Sequence, residues 1–224
     1  MPGPLPARMD VAIAGGHGKV ALRLERLLSD AGHRVRALVR NPDHAADVAA
    51  AGAEAVVLDL EHAEADAIAA QIAGAGAVVF AAGAGPGSGP ERKRTVDYGA
   101  AVKLIDAARD LGIERYVIVS SIGAHSPETG QGPMRAYLQA KADADEALAA
   151  SGLRWTIVRP GSLTDEPGTG LVSLSTDLGR RGPIPRDDVA AVLAACLATP
   201  TTVGATFEAF SGNTPIAEAV AALG

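Results

Sequence analysis

The chain has 224 residues, 48% of them hydrophobic and 21% charged, with a net charge of −6. This length fits one α/β domain and is short for two. The acidic balance argues against nucleic acid or an anionic membrane as the main partner. We expect residues 1–8 to form a disordered tail and residues 9–224 to form the domain.

The single cysteine, Cys196, excludes an intramolecular disulfide and suits a reducing compartment. It lies in an apolar run, which favours a buried and inert thiol. No segment reads as a signal peptide or as a bilayer span. We therefore expect a cytoplasmic protein.

Strands and helices alternate along the chain. The predicted strands cover residues 10–14, 34–40, 55–59, 77–82, 115–121, 153–159 and 206–210. The predicted helices cover residues 19–31, 63–73, 91–111, 134–150 and 186–197, with another between Asn41 and Gly52 and a short one at the end. Strands separated by single helices form right-handed parallel βαβ units, so the fold class is α/β. The pattern loosens between residues 162 and 185.

A glycine-rich turn joins the first predicted strand to the first predicted helix. It fits G-x-x-G-x-x-A from Gly15 or G-x-G-x-x-A from Gly16, and both readings end at Ala21. Glycines let the backbone approach a pyrophosphate, and the helix N-terminus offers free N–H groups to it. We assign the cofactor to Gly15, Gly16, His17, Gly18, Lys19 and Val20, the alternative being a tight turn without a ligand.

The second predicted strand ends in Val39-Arg40-Asn41, without a carboxylate. An acidic residue at this position binds the ribose 2′-hydroxyl of NAD, whereas an arginine can pair with a 2′-phosphate. NADP(H) is therefore the predicted cofactor, bound by Arg40 and Asn41, and NAD(H) remains possible. The alternative is that Arg40 only caps a strand at the surface.

The next two predicted strands also end in candidate cofactor residues. Asp59, followed by Leu60, can accept a hydrogen bond from the adenine amino group or cap the next helix. Ala81, Ala82 and Gly83 are small and leave room for a dinucleotide. The glycine-rich loop over residues 83–90 is a candidate lid beside the nicotinamide.

Tyr137 and Lys141 are the strongest candidates for the chemistry. They lie four residues apart in a predicted helix and therefore share a face. A lysine cation there favours the phenolate form for proton transfer and can also hold the nicotinamide ribose. Ser120 and Ser121 end the fifth predicted strand, and we assign Ser120 to the cofactor and Ser121 to polarising a substrate carbonyl. The histidines show no metal-ligand spacing, so no metal is expected.

Together these motifs resemble the atypical short-chain dehydrogenase/reductases, in particular the small NAD(P)-binding proteins that are epimerase/dehydratase-like or biliverdin/flavin reductase-like. The motifs are Gly15-x-x-Gly18-x-x-Ala21, Ala37-Leu-Val-Arg40-Asn-Pro42, Ser120-Ser121, Tyr137-x-x-x-Lys141 and Trp155-Thr-Ile-Val-Arg-Pro160-Gly161. The resemblance implies a single Rossmann-fold domain with a doubly wound, seven-stranded parallel sheet in the order 3-2-1-4-5-6-7 and helices on both faces. It also implies that Pro160 and Gly161 lie near the nicotinamide and that residues 162–185 form part of the substrate pocket.

The chain departs from the family pattern after Ser121, because Ile122-Gly123 follows in place of a further hydroxyl residue. The sequence therefore does not fix which serine is catalytic. Some family members without the full catalytic set act as NADPH sensors. Two functions therefore fit. The first is an NADP(H)-dependent oxidoreductase acting on a small carbonyl, quinone or flavin-like acceptor, and the second is a non-catalytic NADP(H) sensor that reports to a protein partner. The Tyr137/Lys141 spacing favours the enzyme.

Overall fold

The computed structural model describes residues 8–85 and 87–223. In the N-terminal half, strands and helices alternate as predicted. The elements are β1 (Asp10–Ala14), α1 (Lys19–Asp30), β2 (Arg34–Val39), α2 (Ala45–Ala50), β3 (Glu54–Val57), α3 (Ala65–Ile72) and β4 (Ala77–Phe80). Residues 1–7 of the predicted tail lie outside the described residues, and Arg8 is exposed.

The C-terminal half contains longer helices and several short strands. The elements are α4 (Pro90–Arg92), a π-helical segment (Lys93–Ala100), α5 (Ala101–Asp110), β5 (Arg115–Val119), α6 (Pro133–Ala149), β6 (Arg154–Pro160), β7 (Ser162–Thr164), β8 (Leu171–Ser175), β9 (Pro183–Pro185), α7 (Arg186–Ala198), β10 (Ala205–Ser211), β11 (Thr214–Pro215) and α8 (Ile216–Ala221). Across residues 8–85 and 87–223, no helix is long and apolar enough to cross a membrane.

Seven parallel strands form the body of the main sheet, in the order β3-β2-β1-β4-β5-β6-β10. The predicted order is confirmed, with β10 as the seventh predicted strand. The predicted count of seven is wrong, because β8 pairs antiparallel with β10 and β11 pairs antiparallel with β8, giving nine strands. These additional strands are only five and two residues long. So short a run at a sheet edge carries little periodic signal.

A second, two-stranded sheet pairs β7 with β9, placing Ser162 opposite Pro183. Both strands fall in the segment that carries no regular pattern in the sequence. Gly161, immediately before β7, packs tightly, since a Cβ there would lie 2.1 Å from the carbonyl oxygen of Gly182. The segment after β6 is therefore held firmly against the main sheet.

The side chains of the parallel strands alternate between two buried apolar layers. In β1, Val11 and Ile13 belong to the layer beneath α1 and α7, whereas Ala12 and Ala14 belong to the layer beneath α3 and α5. Both faces of the sheet are thus covered by helices, as predicted. Cys196 is buried in the first layer, and burial raises the pKa of its thiol to about 12, which keeps the thiol protonated.

The helix predicted over residues 91–111 is not a single α-helix. Its middle is the π-helical segment, which lies between α4 and α5. The spacing of the few apolar residues in this eight-residue segment indicates a helix, but it does not distinguish π from α winding. π-Helical turns occur frequently at functional sites, and this one places Asp97 in the interior, with 1% of its surface exposed.

Candidate dinucleotide-binding and active site

The glycine-rich turn packs closely between two strands. Gly15 has φ +78°, and a Cβ there would lie 2.6 Å from the Cα of Ala82. A Cβ on Gly16 would lie 2.6 Å from the Cβ of Ala37. The N–H of Gly18 donates to the carbonyl of Gly15 at 2.7 Å, which closes the turn. Gly15 and Gly16 are therefore required by the turn itself.

Gly18 leads into α1 with an ordinary extended backbone, φ −66° and ψ 145°. No side chain caps this helix, and its first turn contains no acidic residue. The first N–H groups of a helix have no partner within it, and its N-terminus carries partial positive charge. An uncapped end of this kind, reached through glycines, suits a pyrophosphate.

A cleft of about 260 Å³ opens in front of this helix end. Its walls come from the turn, from the carboxyl ends of β2, β3 and β4, and from the π-helical segment. Ten residues that the sequence assigns to the cofactor line it: Gly15, Gly16, His17, Gly18, Arg40, Asp59, Leu60, Ala81, Ala82 and Gly83. The glycine turn and the ends of three parallel strands are thus brought together around one cleft.

Other residues line the cleft without having been assigned from the sequence. They are Leu38, Val39, His44, Leu58, Glu61, Ala84, Arg92, Val96 and Ala100. Leu38, Val39, Leu58 and Ala84 lie at or next to the predicted strand ends, so the pattern could have indicated them, whereas Val96 and Ala100 come from the π-helical segment. His44 lies in a 3₁₀ turn, Pro42–His44, and no pattern in the sequence places that turn in the wall.

Asp59, two residues after β3, is held in its charged form in the wall of the cleft. Burial acts to raise its pKa, but hydrogen bonds from His62 and the N–H of Glu61, together with the charge of Arg40, lower the pKa below its usual value. Donor atoms of Asp59, Glu61 and His62 lie within 4.8 Å of one another. Each of these side chains already has a hydrogen-bond partner, including Arg92 for Glu61.

The remaining N-terminal residues assigned to the cofactor lie beside the cleft and do not line it. Lys19 is exposed and forms an ion pair with Asp165 at 2.6 Å. Val20 is buried in the core. The side chain of Asn41 accepts a hydrogen bond from the N–H of Asp43, which starts the 3₁₀ turn. Contacts of these three residues with a cofactor stay predictions.

Tyr137 and Lys141 project from α6 on the same side, as their spacing predicts. The ammonium of Lys141 lies 6.0 Å from the centre of the Tyr137 ring, and that of Lys93 lies 5.0 Å from it. Tyr137 is half-buried. Both ammonium groups therefore lie within cation–π distance of this ring.

Lys141 itself is buried and firmly held. Its ammonium lies 3.4 Å from a carboxylate oxygen of Asp97 and donates to the carbonyls of Val119 at 3.1 Å and Ala82 at 3.5 Å. The other oxygen of Asp97 accepts from the N–H of Ala84. Since Ala82 and Ala84 line the cleft, Lys141 connects it to Tyr137. The sequence does not indicate Asp97, because its position depends on the π-helical winding.

The two adjacent serines have different surroundings. Ser120 is buried, and its hydroxyl donates to Asp145 at 2.8 Å. Burial raises the pKa of Asp145, opposed by the positive charge of Arg159 and by the Ser120 hydrogen bond. Ser121 is half-buried, and its hydroxyl donates to the carbonyl of Ile122 at 3.2 Å. The hydroxyl of Ser120 is thus engaged inside the protein. The polarising role of Ser121 stays a prediction.

Pro160 and Gly161 lie where β6 meets β7 and are both buried. The carbonyl of Pro160 accepts from the N–H of Ile122, and the N–H of Gly161 donates to the carbonyl of Ala209. These bonds hold the end of β6 beside the loop that carries Ser121. Whether either residue contacts the nicotinamide stays a prediction.

A mostly parallel sheet in this order, with a glycine turn that leads into an uncapped helix, defines a Rossmann-fold protein of the NAD(P)-binding class. Residues 15–200 match the profile of the family described as NAD(P)H-binding, and the chain belongs to that family. The resemblance drawn from the motifs is thereby confirmed.

Relatives of the chain carry epimerase and reductase names. The chain is 43% identical to the uncharacterised sugar epimerase YhfK of Bacillus subtilis (strain 168), over 95% of this chain and 99% of that protein. An NAD-dependent epimerase/dehydratase-like protein of Bacillus halodurans has a solved structure with TM-score 0.91 and 41% identity, covering 96% of this chain and 100% of that one. The anaerobillin reductase ChuY of Escherichia coli O157:H7 aligns with TM-score 0.77 and 26% identity, over 90% and 97% of the two chains.

Proposed function

We propose that the protein is an NADP(H)-dependent oxidoreductase that reduces a small carbonyl, quinone or flavin-like acceptor. The observation that carries the proposal is the link from the cleft to Tyr137 through Lys141. The ammonium of Lys141 lies 3.5 Å from the carbonyl of Ala82 in the cleft wall and 6.0 Å from the Tyr137 ring. A proton donor therefore lies next to the expected position of a bound nicotinamide.

The residues of the cleft suit each part of the cofactor. The N-terminus of α1 would hold the pyrophosphate, Arg40 a 2′-phosphate and Asp59 the adenine amino group. Lys141 would hold the nicotinamide ribose. NADPH, when bound, supplies the hydride.

The residues of the chain would then manage the proton. The hydroxyl of Tyr137 donates a proton to the reduced acceptor, and Lys93 and Lys141 stabilise the phenolate that remains. Asp97, whose carboxylate lies 3.4 Å from the ammonium of Lys141, would balance the charge of that lysine in its buried site. Ser121 would polarise the acceptor carbonyl.

The second candidate function is a non-catalytic NADP(H) sensor that acts on a protein partner. One observation favours it, because the hydroxyl of Ser121 bonds to the carbonyl of Ile122 and not to Tyr137. A serine turned to the backbone leaves the usual catalytic set incomplete. The sensor would need the cleft but not proton transfer by Tyr137.

The remaining parts of the proposal follow from the oxidoreductase hypothesis. We propose a single domain over residues 9–224, with residues 162–185 on the substrate side of the site. The partner would be a small-molecule substrate, and neither nucleic acid nor a membrane would be a partner. A reducing cytoplasm suits the buried thiol of Cys196.

The test is NADPH oxidation by the purified protein against a panel of carbonyls, quinones and flavins. We expect turnover with at least one acceptor class, and none with the Gly18→Val variant. The backbone at Gly18 accepts a side chain, but a Cβ would lie 3.0 Å from the carbonyl of Gly15 and intrude on the pyrophosphate site. Circular dichroism would verify that the variant folds, and Gly18→Ala serves as a milder control.

Three results would count against the proposal. Turnover that persists in Gly18→Val would place the reaction outside the cleft. Tight NADPH binding without oxidation of any acceptor would favour the sensor. Failure of the unmodified protein to bind a nicotinamide dinucleotide would contradict both candidate functions.

A further inference from the structure

Two histidines far apart in the sequence stack in the wall of the cleft. The rings of His17, from the glycine turn, and His44, from the 3₁₀ turn after β2, have centroids 3.6 Å apart and planes inclined by 12°. Both side chains line the cleft. The turn that contacts the pyrophosphate in our proposal is thus joined to the segment that follows Arg40.

Only one ring of the pair has an acidic partner in the described part of the chain. Nε2 of His17 lies 2.7 Å from a carboxylate oxygen of Asp47 in α2. Two stacked imidazolium rings repel each other strongly at this separation. Asp47 can balance one positive charge, so a second proton on the pair requires a second anion next to His44.

The acidic groups of the cleft are already engaged. Asp59 bonds to His62 at 3.1 Å and to the N–H of Glu61 at 3.0 Å. Glu61 pairs with Arg92 at 3.3 Å and accepts from the hydroxyl of Thr95 at 2.5 Å. Neither carboxylate forms a hydrogen bond with His44 within the described residues.

Three further charged groups adjoin the pair in the sequence or in the cleft, and two of them are cations. Lys19, next to the glycine turn, is paired with Asp165. Asp43, in the same 3₁₀ turn as His44, is exposed. The guanidinium of Arg40 has no carboxylate partner in the described part of the chain and lines the same cleft as His44.

We propose that His44 and Arg40 together bind the adenosine 2′-phosphate, and that the His17–His44 pair takes up a proton when the phosphate binds. This inference rests on the proposed use of NADP(H). A doubly charged phosphate supplies the second anion that the pair lacks, and a protonated His44 donates a charge-assisted hydrogen bond to it. NAD, which has a hydroxyl at this position, provides no such anion.

The expected consequence is an affinity for NADP that depends on pH. A doubly charged phosphate next to His44 favours the charged form of the stacked pair over the neutral form. NADP binding then draws in a fraction of a proton. The ratio of NADP to NAD affinity falls as the pH rises, by at most about tenfold per pH unit.

The experiment is calorimetric titration of NADP and of NAD at about pH 7.5, in buffers with different ionisation enthalpies. The dependence of the binding heat on buffer gives the number of protons taken up. At this pH the phosphate is almost fully dianionic, so its own titration contributes little. We expect the parent protein to take up more protons with NADP than with NAD.

Variants locate the proton. His44→Asn should abolish the difference in proton uptake between the two nucleotides and weaken NADP roughly tenfold while leaving NAD unchanged. His125→Asn is the matched control, because His125 is exposed and lies outside the cleft. It should behave like the parent protein.

The outcomes separate this inference from the proposed function. NADP binding with equal proton uptake in the parent and in His44→Asn would overturn the inference and leave the proposed function standing. Equal weakening of NADP and NAD in His44→Asn would also overturn it, since the histidine would then contact a part common to both. Absence of binding by either nucleotide would overturn both.

Discussion

The two ends of the proposed site, the cofactor end and the reaction end, are built in different ways. The cofactor end relies on the backbone, with the glycine turn, the N-terminus of α1 and the ends of three strands. The reaction end relies on buried charges, in which Lys141 is paired with Asp97 and Arg159 with Asp145. Backbone geometry tolerates changes in most of the surrounding side chains, whereas a buried ion pair fails when either partner is removed. The two ends should therefore respond differently to substitution.

The largest effect on stability is expected at the reaction end, from Asp97→Asn. The side chains of Lys141 and Asp97 are 4% and 1% exposed, so the variant leaves an uncompensated buried ammonium. We expect a loss of about 3–5 kcal/mol in the free energy of unfolding, measured by denaturant titration. Adding Lys141→Met should recover part of this loss.

The control for this prediction is the ion pair between Arg94 and Asp143, whose side chains are far more accessible, at 59% and 25% exposed. Asp143→Asn should cost less than about 1 kcal/mol, because solvent screens that pair. Similar losses in Asp97→Asn and Asp143→Asn would show that burial of the charge pair does not distinguish the reaction end.

The cofactor end contains one informative exception, Glu25 in α1. It is fully buried, and neither carboxylate oxygen has a hydrogen-bond partner in the described part of the chain. Burial raises its pKa from 4.5 to about 8. The folded state thus favours the protonated carboxyl of Glu25. The contribution of this group to the free energy of unfolding is fully present below about pH 4.5 and is lost progressively as the pH rises through about 8.

Glu25→Gln removes this titration. Between about pH 5 and about pH 8, the parent should lose about 2–4 kcal/mol of unfolding free energy relative to the variant. Exposed Glu146 provides the matched control, and Glu146→Gln should follow the pH dependence of the parent. Parallel stability curves for the parent and Glu25→Gln would refute the prediction.

The smallest of these effects tests the choice of cofactor. If Arg40 pairs with a 2′-phosphate, Arg40→Ala should weaken NADP binding by about 1.5–3 kcal/mol and leave NAD binding nearly unchanged. Arg26→Ala makes the same change in net charge at an exposed position of α1 and should alter neither affinity. Equal losses for both nucleotides in Arg40→Ala would show that the arginine does not distinguish them. The affinities can be measured by calorimetry.

The sequence predicted the fold best where strands are covered on both faces. The predicted bounds of β1 match the structure, because its continuous apolar run leaves no other interpretation. Strand β8, Leu171–Ser175, was missed, since its five residues alternate only weakly in polarity between loops.

For the candidate site, the outcome follows the same physical division. The glycine turn and the Tyr137/Lys141 pair can be predicted from local spacing alone. The structure shows the tight turn between β1 and α1 and places Tyr137 and Lys141 on one face of α6. Asp97 and His44 reach the site only through a π-helical segment and a 3₁₀ turn. Such irregular turns are set by tertiary packing, so no local pattern indicates them.

The most direct test of the central claim is Tyr137→Phe, assayed for both NADPH affinity and turnover with the best acceptor. The account predicts an unchanged dissociation constant and a turnover lowered by about 10²–10⁴-fold, the contribution of a positioned general acid. Turnover equal to that of the parent would contradict the role of Tyr137 as the proton donor. It would leave direct hydride transfer to a flavin-like acceptor, which needs little help from a side-chain acid.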